Sequence, residues 1–600
     1  MGAIIPATTS GLANFNQYAS QGGWQPVAYR FCNQFNAAPF QITSIKGTAN
    51  RALGVRLQYI ACYDSNKLKL QFANFGGDQA LFELNGRNSF EVRGFFQKMG
   101  ANTADYNTTP RIPITFDNGK PYMTVMPGAL ATSDAMFFQI YQNERFYVWY
   151  TMSVLSSQYA LPNALINIDS NAFSASVHQR GEAIMDDDNI AGNTAPTFGG
   201  TNYPAPVAIL GVPPTPKPSV GWIGDSITGG TADCGMYIQG GGYATRVALG
   251  FTTKTVAMNG ASVHANLTPN FPMLLVSRAS QTSNTYAMSL NSNKSSRYLE
   301  QCSTIVYELG VNDLSFALAI LQANLLQVAR WYMSRGKKFV VLTVLPQTST
   351  TDNWLTTGNQ TFFSQYATRD SYNSWLVDTS STGFLACASG TGGLAWAQST
   401  AYARLGYICN PSGTQAYQLI TTGTSSATGT GPTGLGQIVD GTCVWQSISV
   451  INGLCDYIDI SSGSGYEVNS SNVATFNGNY IVTTPAPIFT GAVTTSINSS
   501  AFNDTSLGGV VDQYRGYNLR FTSGNCQNPT GNFGILYNYA NNLINLVTAP
   551  TANTPQVGDT YAIYAPAITD GTHPTSYGHA LIANCVANSV NMAKLLYVPQ

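Results

Sequence analysis

The chain has 600 residues, of which 44% are hydrophobic and only 10% charged, and its 28 basic and 29 acidic side chains leave a formal net charge of −1. That length is too great for one core and predicts roughly two to four domains. The charged fraction lies far below the ~25% of an ordinary soluble domain, so the surface is expected to be Asn, Gln, Ser, Thr, Gly and Tyr, with no basic field for nucleic acid or an anionic membrane. Such a surface suits an extracellular or virion protein and neutral sugar ligands.

No apolar run approaches the ~20 residues of a membrane span. The first basic residue is Arg30, so the opening residues lack the charged region and long apolar core of a signal peptide. Pro6 also spoils a myristoylation pattern. The expectation is release by a route other than general secretion, as from a phage particle at lysis; a trimmed signal is the alternative. The ten cysteines are sparse for a disulfide scaffold. Most are expected to be small buried hydrophobes, with Cys387, Cys409, Cys443 and Cys455 the set from which a local pairing would come.

In chain order, residues 1–212 read as a β-sandwich. Strand-like runs at 55–63, 67–74, 90–97, 111–116, 135–141 and 146–154 are separated by Asn, Gly, Asp and Pro. The aromatics Trp24, Tyr59, Tyr63, Phe95, Phe96, Tyr147, Trp149 and Tyr150 are available for stacking on sugars, although core positions are the commoner fate of each. The proline-rich stretch 204–218 reads as a stiff linker. From Val220 the pattern alternates strand and helix, which predicts a parallel α/β sheet. Strands are expected at 220–224, 253–258, 304–309, 338–345 and 457–460, and helices at 316–334 and 362–377. Two β-rich inserts interrupt this unit, at 388–454 and 467–565. Structureless loops of that length are improbable inside a compact domain. The domain plan is therefore 1–212, an α/β unit 213–387, insert 388–454, a further strand of that unit at 455–466, insert 467–565, and a closing segment 566–600.

Three stretches carry chemistry. The run Ser219-Val-Gly-Trp-Ile-Gly-Asp-Ser226-Ile-Thr-Gly-Gly230 is a buried strand that breaks into a tight glycine-flanked loop around one serine. Alone, a Gly-Asp-Ser tripeptide is weak, because ordinary turns supply many. A serine alcohol needs a base, and the base needs a carboxylate to fix its tautomer. Asp570-Gly-Thr-His573-Pro574 offers both, three residues apart in a turn before a helical pattern. Between them, a strand runs through Glu308-Leu-Gly310-Val-Asn312-Asp313 into a loop where Asn312 is placed to donate to a developing oxyanion. The nucleophile elbow Gly-x-Ser-x-Gly is absent, since Thr228 holds the second glycine position. No clustered metal-ligand spacing occurs, so neither a metal nor a cofactor is expected.

Taken together and in this order, Gly-Asp-Ser-Ile-Thr, Gly-Val-Asn-Asp and Asp-Gly-Thr-His-Pro resemble the blocks of the SGNH (GDSL-like) hydrolase family. The resemblance implies a three-layer α/β/α hydrolase. It implies Ser226 as nucleophile, His573 as base and Asp570 as its orienting acid. The Ser226 amide and Asn312 would line the oxyanion hole. The family's remaining block departs here: Gly260 follows Asn259 directly, and Val263 or His264 stands where the glycine is expected. Gly260 is the candidate donor, and His264 is either a substrate contact or, more commonly, a polar loop residue.

The segments 69–74, 113–119 and 125–129 resemble the jelly-roll accessory domain of secreted SGNH esterases. The inserts are similar in wording to small β modules of phage tail and baseplate proteins. These likenesses imply a polysaccharide O-acetyl esterase carried on a phage tail spike or fibre. Its partners would be an acetylated polysaccharide and other virion proteins, with a homotrimer the usual assembly of tail spikes. The rivals are a secreted bacterial acetylesterase acting on plant or peptidoglycan acetyl groups, and a virion adhesin whose hydrolase domain only binds. The second insert ends just before Asp570 and is expected to overhang the active-site face as part of the substrate groove.

Overall fold

The computed structural model describes residues 23–30, 52–77, 83–86, 88–98, 110–154, 176–180, 206–231, 233, 242–250, 268–290, 292–352, 354–391, 393–402, 407–409, 415–447, 454–476, 481–484, 486–508, 514, 517–527, 533–538, 541–546, 549–550, 553–565, 567–568 and 570–598. The fold is mixed α/β. At its centre lies a five-stranded parallel sheet of β1 (Val220–Gly224), β2 (Met273–Ser277), β3 (Thr304–Tyr307), β4 (Lys338–Leu342) and β5 (Cys455–Ile458). The order is β2-β1-β3-β4-β5, with every neighbouring pair parallel. Every residue of β1, β2 and β3 is buried. Strands covered on both faces must be apolar throughout rather than alternating, which is why Thr-Ile-Val-Tyr and Met-Leu-Leu-Val read as unbroken runs.

The chain leaves β1 for β2 on one side and then returns to β3 on the other. That reversal opens a crevice beyond the carboxyl ends of β1 and β3, where ligands of such sheets bind. The helix α1 (Gly242–Leu249) packs against α2 (Ser576–Val586), which follows the His573 turn. The long helix Leu318–Met333 buries Leu321, Leu325, Val328, Ala329 and Tyr332 at three- and four-residue spacing. The strand expected at 253–258 lies outside the described residues.

Ahead of this unit, two antiparallel sheets enclose a common core. Ser65–Ala73 supplies Leu68, Leu70 and Phe72 from one sheet, and Phe90–Lys98 and Arg145–Ser153 supply Phe96, Phe146, Val148 and Tyr150 from the other. The aromatic residues considered for sugar stacking are mostly spent here. Tyr59, Phe96, Tyr147, Trp149 and Tyr150 are buried, Trp149 Nε1 donates to Gln97 Oε1 at 2.8 Å, and the Tyr63 hydroxyl donates to the Pro218 carbonyl at 2.7 Å. The linker expectation at 204–218 is corrected in part. Ala208–Gly211 is a buried strand hydrogen-bonded to Ser65–Ala73. Its Ala-Ile-Leu-Gly sequence sits between two proline clusters, and the prolines end the strand at both sides rather than preventing it.

Both inserts are β modules. The first holds a five-stranded sheet around Ile408, Tyr417, Leu419, Cys443 and Trp445, with the Asp440 carboxylate accepting from the Trp396 indole at 2.7 Å and the Trp445 indole at 3.3 Å. The second is a seven-stranded sheet pinned by Asp504, whose carboxylate accepts from the Tyr561 hydroxyl at 2.6 Å and the Ala492 amide at 3.1 Å. Among the described residues no disulfide joins Cys387, Cys443 and Cys455, nor Cys62, Cys302, Cys526 and Cys585. Burial pushes the Cys455 thiol upward and makes it inert. The side chain of Cys409 lies outside the described residues.

Candidate active site

Ser226 follows β1 directly. The chain turns helically at once: the Gly229 amide donates to the Asp225 carbonyl at 2.9 Å and the Thr231 amide to the Ser226 carbonyl at 3.0 Å. Every neighbour from Gly224 to Gly230 is buried, yet Ser226 itself is half-exposed. The turn thus lifts one hydroxyl out of a buried corner.

The second element is the turn at Asp570. Its Oδ1 accepts from the amides of Thr572 at 3.0 Å and His573 at 2.8 Å, so the carboxylate folds its own backbone back on itself. Gly571 takes φ +89°, and a Cβ there would stand 2.3 Å from the Thr348 carbonyl oxygen, so this turn admits only glycine without rearrangement. The Thr348 amide donates to the Gly571 carbonyl at 3.0 Å, which ties the turn to the hairpin Thr348–Thr350 and Gln360–Phe362. Beyond it, the Thr575 hydroxyl caps α2 by accepting from the Gly578 amide.

These two elements meet. The Ser226 hydroxyl lies 2.8 Å from His573 Nε2, and His573 Nδ1 lies 2.6 Å from Asp570 Oδ2. Because the carboxylate only accepts, the ring carries its proton on Nδ1 and offers Nε2 as the acceptor for the serine proton. Burial opposes the charged form of Asp570, but the His573 ring bond and the two backbone amides outweigh it and hold the carboxyl at about 2. The chain of contacts is hydroxyl to imidazole to carboxylate, the arrangement that makes an alcohol nucleophilic.

Asn312 lies in the 3-10 turn Val311–Asp313 that follows β3, bonded to Asp225, the residue before Ser226. Its Nδ2 donates to Asp225 Oδ2 at 3.1 Å and to the Gln281 carbonyl at 3.1 Å, so both amide hydrogens are engaged. The backbone amide of Ser226 has no hydrogen-bond partner among the described residues. Gly260 and His264 lie outside the described residues.

Beneath the serine lies a polar cluster that sequence reasoning did not assign. Asp225 is fully buried, and its Oδ1 accepts from the Ile227 amide at 2.8 Å. Glu308 is also buried, and its Oε2 accepts from the Thr228 hydroxyl at 2.6 Å, which in turn accepts from the Tyr243 hydroxyl at 2.9 Å. Burial raises the Glu308 carboxyl to about 7 despite bonds from Thr228 and the Asp225 amide. Asp225 is raised as well, first by burial and then by the charge of Glu308. The Glu308 charge thus opposes ionisation of Asp225, which favours keeping a proton on one of the two acids. Asp313 caps the helix Ser283–Ser289, accepting from the Ser283 amide at 2.7 Å. The signal for Glu308 was readable: a carboxylate at the end of an apolar strand is costly unless it has a task. Gln281 contributes only a carbonyl, which any residue would supply.

The second insert reaches the site indirectly. Among the described contacts, Arg520 Nη2 donates to the Asp352 carbonyl at 3.2 Å, on the hairpin that carries the Gly571 bond.

No protein-family model and no curated protein matches the chain. Among solved structures, it is similar to the esterase EstA of a Pseudoalteromonas species, at 15% identity over 21% of this chain and 60% of that one, with a TM-score of 0.16. A lipase from a goat rumen metagenome is similar at 12% identity over 22% of this chain and 65% of that one, with a TM-score of 0.17. A family two carbohydrate esterase from Cellvibrio japonicus is similar at 11% identity over 57% of this chain and 83% of that one, with a TM-score of 0.19. The chain therefore spans less than two thirds of the first two. The neighbours named are two esterases and a lipase.

Proposed function

We propose that the chain is a serine ester hydrolase of the SGNH type. The observation that carries this reading is the contact chain Ser226 Oγ to His573 Nε2 at 2.8 Å and His573 Nδ1 to Asp570 Oδ2 at 2.6 Å. His573 takes the hydroxyl proton as Ser226 Oγ attacks the ester carbonyl, and Asp570 stabilises the resulting imidazolium. The oxyanion is met by the Ser226 amide and by Asn312, one of whose hydrogens leaves Asp225 or Gln281 for it. Collapse expels the alcohol, which receives the proton from His573, and water then hydrolyses the acyl-enzyme by the same relay.

The substrate we propose is an O-acetylated surface polysaccharide, and the setting a phage tail spike or fibre. The sparse charge, the neutral polar surface and the two β modules within the hydrolase support this. The test is acetate release from purified acetylated capsules. The wild type is expected to liberate acetate and Ser226→Ala to lose at least ~10³-fold in rate. Acetate release unchanged by Ser226→Ala would end the proposal.

A further inference from the structure

A cavity of about 680 Å³ opens at the seam between the sandwich and the hydrolase. Its sandwich wall includes Trp24, Lys69, Gln71 and Leu130, and its hydrolase wall is the short helix Lys294–Leu299 with Gln301 beyond it. Three cations, Lys69, Lys294 and Arg297, face it, and no carboxylate is among its lining residues. The chain as a whole is balanced, with 28 basic and 29 acidic side chains, so this is a marked local excess.

The cations are placed by the fold. Lys69 Nζ stands 4.4 Å over the Trp24 ring, which holds the ammonium on an aromatic face. Lys294 Nζ is hydrogen-bonded to Asn85 Oδ1. It fits beside Gly128, at φ +76°, where an added Cβ would stand 2.5 Å from it. The Glu83 carboxylate lies at the start of this same helix, accepting from the Lys294 amide at 2.7 Å and the Ser295 amide at 2.9 Å and pairing with Arg278 at 3.7 Å, and is not among the lining residues. Arg297 is exposed; the charges of Glu300 and Asp134 act on Arg297 and Lys69, but neither carboxylate lines the cavity. Between the cations, Gln301 Nε2 donates to Gln71 Oε1 at 3.0 Å, and Gln71 Nε2 to Thr132 Oγ1 at 3.2 Å, a strip of amide and hydroxyl groups across the seam. Phe75, Leu130 and Leu210 complete the floor.

We propose that this seam is a second, non-catalytic binding site for an acidic glycan segment. Positive groups, an amide strip and an apolar floor match the carboxylate, the hydroxyls and the C–H face of a uronic or similar acidic sugar. The volume falls within the ~300–1,000 Å³ of ordinary ligand sites. Helix Lys294–Leu299 and Gln301 precede the amino end of β3, whereas Ser226 and Asn312 lie beyond carboxyl ends. Four strand residues separate those ends by roughly 13 Å, so the seam grips a chain apart from the serine. The inference goes beyond the esterase reading, and its binding readout does not depend on it.

The experiment is calorimetric titration of the full-length protein with oligogalacturonate, oligosialic acid and hyaluronan fragments, using maltooligosaccharide and inorganic phosphate as controls. At least one acidic oligosaccharide is expected to bind, to weaken with added salt, and to lose at least tenfold in affinity in Lys69→Gln/Arg297→Gln. Hydrolysis of p-nitrophenyl acetate by that variant is expected to match the wild type, which reports an intact fold. Binding of none of the three, binding indifferent to the double substitution, or equal binding of phosphate alone would each overturn the proposal.

Discussion

Replacing Asp570 by Asn tests the relay at one atom. Asp570 Oδ1 accepts two backbone amides, from Thr572 at 3.0 Å and His573 at 2.8 Å, and Oδ2 accepts the ring Nδ1 proton at 2.6 Å. An asparagine must keep its oxygen toward the two amides, because turning its NH2 there would set donor against donor. The NH2 therefore faces the ring, and Nδ1 must become an acceptor. The imidazole proton moves to Nε2, where it confronts the Ser226 hydroxyl and leaves no base. In triads of this kind the wrong tautomer costs about 10⁴ in kcat, which corresponds to ~5.4 kcal/mol of transition-state stabilisation. Asp570 is half-exposed and both backbone bonds survive in the variant, so the melting temperature is expected to stay close to the wild type. The assay is kcat for p-nitrophenyl acetate near pH 8, paired with a thermal melt by circular dichroism. A kcat within threefold of the wild type, with the fold intact, would refute the reasoning.

Further outcomes follow from the cluster beneath the serine. Asn312→Ala removes an oxyanion donor and strips Asp225 Oδ2 of its Asn312 bond; kcat for the same ester is expected to fall ~10²–10³-fold, and an unchanged kcat would remove Asn312 from the mechanism. Glu308 titrates at about 7 in the folded protein because burial raises it, against ~4.3 when unfolded. Between those values the native state holds a proton that the unfolded state has lost, so stability declines as pH rises through that window, by at most ~1.4 kcal/mol per pH unit. Glu308→Gln is expected to remove about one proton's worth of that slope in denaturant melts at pH 5, 6 and 7; identical slopes in the two proteins would contradict the assignment.

The turns that bring Ser226, His573 and Asp570 together were easier to read than the scaffold that carries them. Ser226, His573 and Asp570 were legible because each sits where a strand or turn breaks into glycines, and those breaks survive folding. The runs at 304–309 and 338–345 correspond to Thr304–Tyr307 and Lys338–Leu342, since buried parallel strands leave uninterrupted apolar letters. The strand Met273–Ser277 went unread: four apolar residues and a serine behind Pro272 look like any short buried segment, and periodicity has nothing to grip. Ala208–Gly211 was hidden by its flanking prolines. The hairpin Thr348–Thr350 with Gln360–Phe362 went unread, and the helix expected at 362–377 begins at Tyr366 instead, because Thr-Ser-Thr and Gln-Thr-Phe carry strand propensity only once paired. The Asp225–Glu308–Asn312 cluster joins residues just beyond the carboxyl ends of β1 and β3 that only the sheet order brings together, and no local pattern encodes that order.

The central claim is that Ser226 is made nucleophilic by His573, and covalent trapping tests it most directly. Incubation of the intact protein with a fluorophosphonate, followed by peptide mass spectrometry, is expected to give a single adduct on the peptide containing Ser226, and none in His573→Ala. An unlabelled protein, an adduct on another residue, or equal labelling of His573→Ala would contradict the account.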